Sequence, residues 1–275
     1  FLSTGDHVIS GNNGLKDSLL ALEWVHNNIK LFGGDPEKVT IFGHSSGAAS
    51  VAYLQLNPKA EGWFKGVICQ SGTHLGSWAL QREPRKTAFA FASLLNETFQ
   101  TNNHTTEELL KYLLSVPPED LDRASNAFYF DHIFNDIAEH ASNMQGSYFG
   151  PVIELKSEEA FLTEKMYELV RDSKYVKVPL MIGFTSEECI EYYADANRTK
   201  RDMEDYDAHL EWLVPVNMEI TDEANLTRMG RLIRDMYTNG EPFSEHLDGG
   251  LRFCSDNLLN RPMMKHAEFN SKFAK

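Results

Sequence analysis

The chain has 275 residues, and 42% of them are hydrophobic, which is enough for one or two domains with a sizeable core. Acidic residues outnumber basic ones by 40 to 26, so the formal net charge is −14 and disfavours nucleic acid and acidic membrane surfaces as partners. No stretch approaches the roughly 18 apolar residues of a membrane-spanning helix, and these properties together favour a neutral or cationic small molecule as the partner.

The first predicted element is an amphipathic helix. Its apolar residues recur at helical spacing and fall on one face: Leu15, Leu19, Leu22, Val25 and Ile29. Gly33 and Gly34 are predicted to end the helix. Asp35-Pro36 is then predicted to turn the chain into a strand.

That strand, Val39 to Phe42, runs into Gly43-His44-Ser45-Ser46-Gly47, and a helix of small and apolar residues follows as far as Leu56. A serine on a sharp turn between strand and helix exposes its hydroxyl as a nucleophile, and flanking glycines leave room for the two elements. Because the strand and helix accompany the motif, Ser45 is the candidate nucleophile. The order helix, strand, turn, helix is typical of a parallel α/β sheet.

Further strands are predicted at 64–69 and 178–184. Between them, residues 84–148 are predicted to form helices and loops above the sheet, with a capping box at Thr105 to Glu108. A group of aromatic residues in and after this region either lines a substrate pocket or, as we favour, packs the region against the sheet. They are Phe128, Tyr129, Phe130, Phe134, Tyr148 and Phe149.

These blocks, together with four further ones, resemble the type-B carboxylesterase family of α/β-hydrolases. The further blocks follow in family order: Ile68-Cys69-Gln70-Ser71-Gly72-Thr73, Gly150-Pro151-Val152-Ile153-Glu154, Val178-Pro179-Leu180-Met181-Ile182-Gly183 and Asp256. The resemblance implies the α/β class and a mostly parallel central sheet with helices on both faces. It also implies one partial domain over 1–275, incomplete at both ends, with a cap-like region around 84–148. His44 and Ala48-Ala49-Ser50-Val51 resemble the insect carboxylesterases more than the cholinesterases.

An acyl-transfer serine needs a histidine, a carboxylate that orients it and donors for the oxyanion. Aligned on the family's Asp-Glu-Gly, Glu188 corresponds to the triad acid, and Cys189 replaces the glycine. The resemblance also implies that Glu187 is the solvated neighbour of this acid. Without the resemblance, the Glu187-Glu188 pair would be interpreted as part of an exposed loop. One oxyanion donor would be the backbone N–H of Ser46. The family's other donors would come from a glycine-rich loop before Phe1.

The resemblance implies that the triad histidine would lie beyond the last residue of this chain. His266 is the one near match, but it falls in a predicted helix from Asp256 to Phe273, capped by Ser255 or Asp256, so it is interpreted as a surface histidine. His44 adjoins Ser45 too closely to act on it. The chain is therefore predicted to be an internal piece of a longer esterase, nearly inactive and poorly soluble alone, with open sheet edges.

The cysteines predict neither a disulfide framework nor a zinc site, because they are three in number and far apart. Cys69 is predicted to be a buried free thiol. No metal and no cofactor are expected. N-glycosylation sequons begin at Asn96, Asn103, Asn197 and Asn225, and they favour a secreted glycoprotein, although short sequons also arise by chance.

Two functions of different class are compatible with these residues. The first is a serine carboxylesterase that forms an acyl-Ser45 intermediate, and the second is a non-catalytic, esterase-like recognition or adhesion protein. Ser45, its two glycines and Glu188 favour the enzyme. A protein that is acylated once and deacylates slowly is a third alternative. The natural ester and the oligomeric state stay open.

Overall fold

The computed structural model describes residues 1–100, 103–130 and 146–272. Its strands are β1 (Thr40–His44), β2 (Gly66–Gln70) and β3 (Leu180–Gly183). Its α-helices are α1 (Asn13–Asn28), α2 (Ser46–Leu56), α3 (Pro84–Leu95), α4 (Thr106–Leu113), α5 (Pro118–Phe130), α6 (Met166–Arg171), α7 (Ala196–Ala208), α8 (Glu223–Thr238), α9 (Leu247–Ser255) and α10 (Arg261–Ser271). No helix within these ranges is both long and apolar enough to cross a membrane.

The strands form a parallel sheet in the order β1-β2-β3 within the described ranges. Side chains alternate between its two faces. On one face, Val67 and Cys69 are buried against Ala48 and Ala52 of α2. On the other face, Phe42, Ile68 and Met181 lie in register across the three strands, and Phe42 and Met181 are 70% and 67% exposed. The predicted α/β class is confirmed, and one apolar row of this sheet faces outward.

The helix before β1 follows the sequence pattern closely. Leu15 and Leu22 of α1 are buried, and a 3₁₀ turn at Ile29–Phe32 ends at Gly33, which has a φ of 82°. A left-handed conformation of this kind favours glycine at the end of a helix. The Asp35 carboxylate then accepts the N–H of Glu37, which starts the turn into β1.

A buried carboxylate joins the start of α1 to the segment at 152–162. The side chain of Glu154 forms an ion pair with Lys16 at 2.6 Å and accepts hydrogen bonds from Asn12 Nδ2 at 2.7 Å and the Phe161 N–H at 2.8 Å. A buried charge is tolerated where it is paired and hydrogen-bonded in this way. The Gly150–Glu154 block therefore has a structural part in the described chain.

Helices α3, α4 and α5 share a separate apolar cluster. The predicted capping box is confirmed, since the Thr105 hydroxyl accepts the Glu108 N–H and the Glu108 carboxylate accepts the Thr105 N–H. Phe128 is 1% exposed and packs against Tyr148 and Phe149 at ring-centroid distances of 5.4 and 5.5 Å. This favours packing over a pocket. Phe134 and the side chains of Tyr129 and Phe130 lie outside the described residues. The cap-like role of 84–148 stays a prediction.

The helix boundary predicted near Asp256 is wrong. Helix α9 already begins at Leu247 and continues through a π-helical stretch at Asp256–Asn260 into α10. Ser255 has helical dihedral angles and caps nothing. Its buried hydroxyl instead accepts the backbone N–H of Cys189, a partner 66 residues away that local pattern does not reveal.

The disulfide prediction also needs correction. Cys189 and Cys254 are joined by a disulfide, with their Cα atoms 6.0 Å apart, although 65 residues separate them in sequence. The pairing depends on the loop after β3 packing against α9, which spacing alone cannot show. The prediction for Cys69 is confirmed. It is a free, fully buried cysteine, and burial raises the pKa of its thiol to about 12.

Candidate active site

The segments that follow the three strands leave the sheet at one edge. His44, Gln70 and Gly183 are paired across the last register position. The Ser45 N–H donates to Gln70 O, and the Ser71 N–H donates to Gly183 O, both at 2.9 Å. Because the carboxyl ends of parallel strands carry the binding sites of α/β proteins, this edge is the natural place for a site.

Ser45 has the strained backbone that the motif predicts. Its φ is 56° and its ψ is −120°, and its side chain is exposed. A non-glycine residue in a sparsely populated region of this kind costs about 1 to 3 kcal/mol, and such residues cluster at functional sites. The turn thus directs the Ser45 hydroxyl outward at the start of α2.

The two motif glycines have different roles in the turn. A Cβ at Gly43 would lie 2.2 Å from the carbonyl carbon and oxygen of Gly47, so only glycine fits there. A Cβ at Gly47 would meet nothing within 4 Å. The expectation that both glycines supply room is therefore wrong for Gly47. The backbone of Gly47 lies where a Cβ of residue 43 would be, so only position 43 must lack a side chain.

A third glycine is equally restricted. A Cβ at Gly72, two residues beyond β2, would lie 2.2 Å from Ser45 O. Gly72 belongs to the resembling block Ile68 to Thr73, and its place in the sequence does not by itself predict a part in the turn. The Ser45 turn is consequently packed from β1 and from the end of β2.

Ser46 is the first residue of α2. The first N–H groups of a helix lack carbonyl partners within it, and the positive end of the helix dipole lies there. The first hydrogen bond of this helix runs from the Ala49 N–H to Ser45 O. The position of Ser46 is thus compatible with the predicted role of its N–H as an oxyanion donor.

Glu188 lies in the loop after β3 and is half-buried. Its Oε1 accepts hydrogen bonds from Ser71 Oγ at 2.7 Å and from the Thr185 N–H at 2.6 Å. Two donors on one oxygen hold the carboxylate in a defined orientation. Neither donor was singled out from the sequence. Only the position of Ser71 directly after a strand could have suggested it.

The neighbours of Glu188 resolve two sequence questions. Glu187, predicted to be solvated, is half-buried instead. Cys189, which replaces the family's glycine, has a φ of −91°. A negative φ does not require glycine, so a cysteine is compatible with this turn.

His266 lies on a helix, as predicted, but it is fully buried rather than on the surface. Its Nδ1 lies 3.0 Å from Thr73 Oγ1, and its ring packs edge-on against His74 at 4.6 Å. Burial lowers the pKa of His266 to about 4. Both Nε2 atoms of this pair are buried without a protein partner. His266 therefore belongs to the interior.

The asparagines of the sequons lie on the surface to different degrees. Asn103, Asn197 and Asn225 are exposed, whereas Asn96 is half-buried and its Oδ1 accepts hydrogen bonds from the N–H and hydroxyl of Thr98. Thr199, the third residue of the Asn197 sequon, is buried.

A parallel sheet with a serine on a strained turn between strand and helix defines an α/β-hydrolase fold. The sequence profile of the carboxylesterase family matches residues 1–275, and the chain belongs to this family. The fold agrees with that of juvenile hormone esterase from Manduca sexta, with a TM-score of 0.79 and 24% identity, over 99% of this chain and 49% of that one.

Several relatives of known name are insect proteins. The chain is 30% identical to venom carboxylesterase-6 of Apis mellifera, across all of this chain and 48% of that protein. It is 37% identical to a carboxylic ester hydrolase of Bombus ignitus, across 68% of this chain and 31% of that protein. These similarities confirm the predicted resemblance. The chain spans about half the length of its relatives, or less.

Proposed function

We propose that the polypeptide containing this chain hydrolyses carboxylic esters through an acyl-Ser45 intermediate. The observation that supports this most is the backbone of Ser45, held in a strained conformation with its side chain exposed at the carboxyl edge of the sheet. Strain of this kind persists only where the surrounding structure enforces it. Here Gly43 and Gly72 permit the close packing that does so.

The reaction proceeds in two halves. Ser45 Oγ attacks the ester carbonyl carbon while a histidine takes its proton, and the alcohol leaves with that proton as the acyl group stays on Ser45. Water then attacks the acyl-enzyme with the same histidine as base, and the acid is released. Neither half needs a metal or a cofactor. The Ser46 N–H would stabilise the negative oxygen in both halves.

Glu188 would orient the histidine and stabilise its protonated form. Its Oε1 is bonded to Ser71 and Thr185, so the other carboxylate oxygen is the candidate acceptor for the imidazole N–H. The base and further oxyanion donors would come from parts of the polypeptide outside 1–275. We accordingly expect the isolated chain to be nearly inactive.

The substrate class follows from charge and family. With a net charge of −14, the chain favours neutral or cationic esters over acidic ones. We propose secretion as a glycoprotein, with glycans on Asn96, Asn103, Asn197 and Asn225. Peptide-N-glycosidase digestion of the natural protein, followed by peptide mass mapping, would detect deamidated asparagine at each occupied site.

The decisive experiment is fluorophosphonate labelling of the whole polypeptide from its natural source, with the adduct mapped by mass spectrometry. A fluorophosphonate phosphorylates only a serine that is activated by a neighbouring base. We expect the adduct on Ser45 and hydrolysis of p-nitrophenyl acetate. An intact protein that stays unlabelled would contradict the enzyme and favour the recognition protein.

Variants separate the proposed roles. Ser45→Ala should abolish labelling. Glu188→Gln should lower kcat about 10⁴-fold with little change in KM, by analogy with the loss of the triad acid in serine proteases. Ser46→Ala is the matched control, because a backbone donor survives the loss of the side chain. A large loss of activity in Ser46→Ala would contradict the backbone role.

A further inference from the structure

The disulfide between Cys189 and Cys254 attaches the polypeptide immediately next to Glu188 to the last turn of α9. Cys189 is fully buried within an apolar cluster that includes Phe253 and Leu258. The Cys189 N–H also donates to Ser255 Oγ at 3.1 Å. Position 189 is therefore held to α9 by a covalent bond and a buried hydrogen bond.

The residues before this attachment are much less enclosed. Phe184, Thr185 and Ser186 are exposed as the chain leaves β3, and Glu188 itself is half-buried. Glu188 thus lies between two fixed points, the end of β3 at Gly183 and the disulfide at Cys189. A carboxylate must be held within about 0.5 Å of its productive position to act on a histidine. The attachment at Cys189 therefore limits how far the Glu188 carboxylate can move from that position.

We propose that the Cys189–Cys254 disulfide positions Glu188, and that the esterase activity of the whole polypeptide depends on this bond being oxidised. The inference rests on the proposed function. It adds that Cys189 and Cys254 are positioning residues, which act on the reaction through Glu188. The attachment at 189 keeps the Glu188 backbone where its Oε1 receives the Ser71 hydroxyl and the Thr185 N–H.

A disulfide that closes a long loop also stabilises the fold as a whole. The two roles predict different measurements. A bond that only stabilises changes how many molecules are folded and active. A bond that positions the acid changes the rate constant of each active molecule and the pH dependence of that rate.

The test begins with the oxidised whole polypeptide, whose disulfide is verified by mapping peptides without reduction. A water-soluble trialkylphosphine then reduces it. The phosphorus attacks one sulfur, the S–S bond breaks, water supplies the oxygen of the phosphine oxide, and two protons complete the thiols Cys189 and Cys254. The phosphine is oxidised by two electrons as the disulfide is reduced. Cys254 is only half-buried, which gives the reagent access.

Active sites are counted by fluorophosphonate titration before and after reduction, and kcat and KM for p-nitrophenyl acetate are measured per titrated site. We expect kcat per site to fall at least tenfold on reduction, with KM changed less than twofold. The acidic limb of the profile of kcat/KM against pH should move down by about one pH unit, because a misplaced carboxylate no longer raises the histidine pKa.

The variant Cys189→Ala/Cys254→Ala should reproduce the reduced enzyme. Cys69→Ala is the matched control, because it removes the buried free thiol of β2 and leaves the disulfide intact. It should keep the wild-type kcat and pH profile, and its sensitivity to phosphine should equal that of the wild type. If the double variant fails to fold, the reduction experiment on native protein, followed in parallel by circular dichroism, gives the answer.

Three results would overturn the inference. One is an unchanged kcat per site and pH profile after the bond is removed. Another is loss of activity only in step with loss of circular dichroism. The third is recovery of Cys189 and Cys254 as free thiols from native protein. By contrast, if oxidised wild-type polypeptide neither reacts with fluorophosphonate nor hydrolyses the ester, the proposed function itself fails.

Discussion

Ser45 shows how much of a site is decided by single residues. Its motif predicted a strained turn, and the turn has a φ of 56°. The requirement for glycine, however, differs among the three glycines of the turn. Backbone atoms of Gly47 and Ser45 occupy the Cβ positions of Gly43 and Gly72, so these two positions need glycine. The Cβ position of Gly47 is open.

Paired alanine substitutions test this division. Gly43→Ala should lower the free energy of unfolding by about 1 to 3 kcal/mol or more, the usual cost of overpacking, because backbone atoms occupy the site of the new methyl group. Gly47→Ala should leave it unchanged or slightly raised, since alanine is the better helix former. Urea denaturation of the whole polypeptide measures both. Equal destabilisation by the two substitutions would refute the steric account.

His266 should make stability depend on pH. Its ordinary pKa of 6.5 is lowered to about 4 by burial in the folded chain. Between these values the unfolded chain binds more protons, so the contribution of the neutral imidazole is complete above about pH 6.5 and is lost as the pH falls towards 4. The loss between pH 7 and pH 5 is about 2 kcal/mol.

Denaturation of the wild type and of His266→Gln at pH 7 and pH 5 measures this contribution. We expect the difference in unfolding free energy between the two pH values to be smaller in the variant. His246→Gln, at an exposed histidine, should retain the wild-type difference. A wild-type pH dependence in His266→Gln would show that the buried imidazole is not its source.

Among the elements, α4 shows a residue with two uses. Thr105 caps the helix through its hydroxyl and is also the third residue of the Asn103 sequon. Both uses require the hydroxyl group. The helix begins only three residues after the exposed Asn103, so a glycan there would extend from a capped and ordered turn.

Three variants separate the cap from the glycan. Thr105→Ala should lose the glycan and about 1 kcal/mol of unfolding free energy, the usual value of a cap. Asn103→Gln should lose the glycan alone, and Thr105→Ser should retain both. Gel mobility before and after glycosidase treatment, with urea denaturation of the deglycosylated protein, measures the two effects. Equal stability of Thr105→Ala and Asn103→Gln would contradict the role of the cap.

At the scale of the whole molecule, the outward-facing apolar row of the sheet is the surface most prone to cause association of the isolated chain. Phe42 and Met181 are exposed in register with Ile68 on an otherwise regular parallel sheet. Contiguous apolar surface and unpaired strand edges promote association, whereas scattered exposed apolar side chains do not. The row is compatible with the prediction that the isolated chain is poorly soluble.

The variant Phe42→Thr/Met181→Thr should therefore reduce association of the isolated chain. Leu114→Gln/Met236→Gln is the matched control, since these side chains are 77% and 70% exposed and lie apart, Leu114 directly after α4 and Met236 on α8. Size-exclusion chromatography with light scattering compares the two. A monodisperse wild-type chain, or an equal improvement by both variants, would remove the sheet face as the cause.

What could be predicted from sequence was local in origin. Hydrophobic periodicity, helix-ending glycines, the Gly-x-Ser-x-Gly turn and the capping box act over a few residues, and each of them identified its element. The family resemblance predicted which segments after the strands carry candidate site residues, including Glu188 after β3. These signals were sufficient for the fold class and for the candidate nucleophile.

Tertiary structure alone decided which distant groups meet. The bond from Ser71 to Glu188 spans 117 residues, the contact of Thr73 with His266 spans 193, and the disulfide spans 65. The buried Ser255 hydroxyl likewise accepts the N–H of Cys189, 66 residues away in the loop after β3. Such contacts follow from how parallel strands and helices pack in three dimensions. A local pattern of residues cannot predict them, because it depends only on neighbours in sequence.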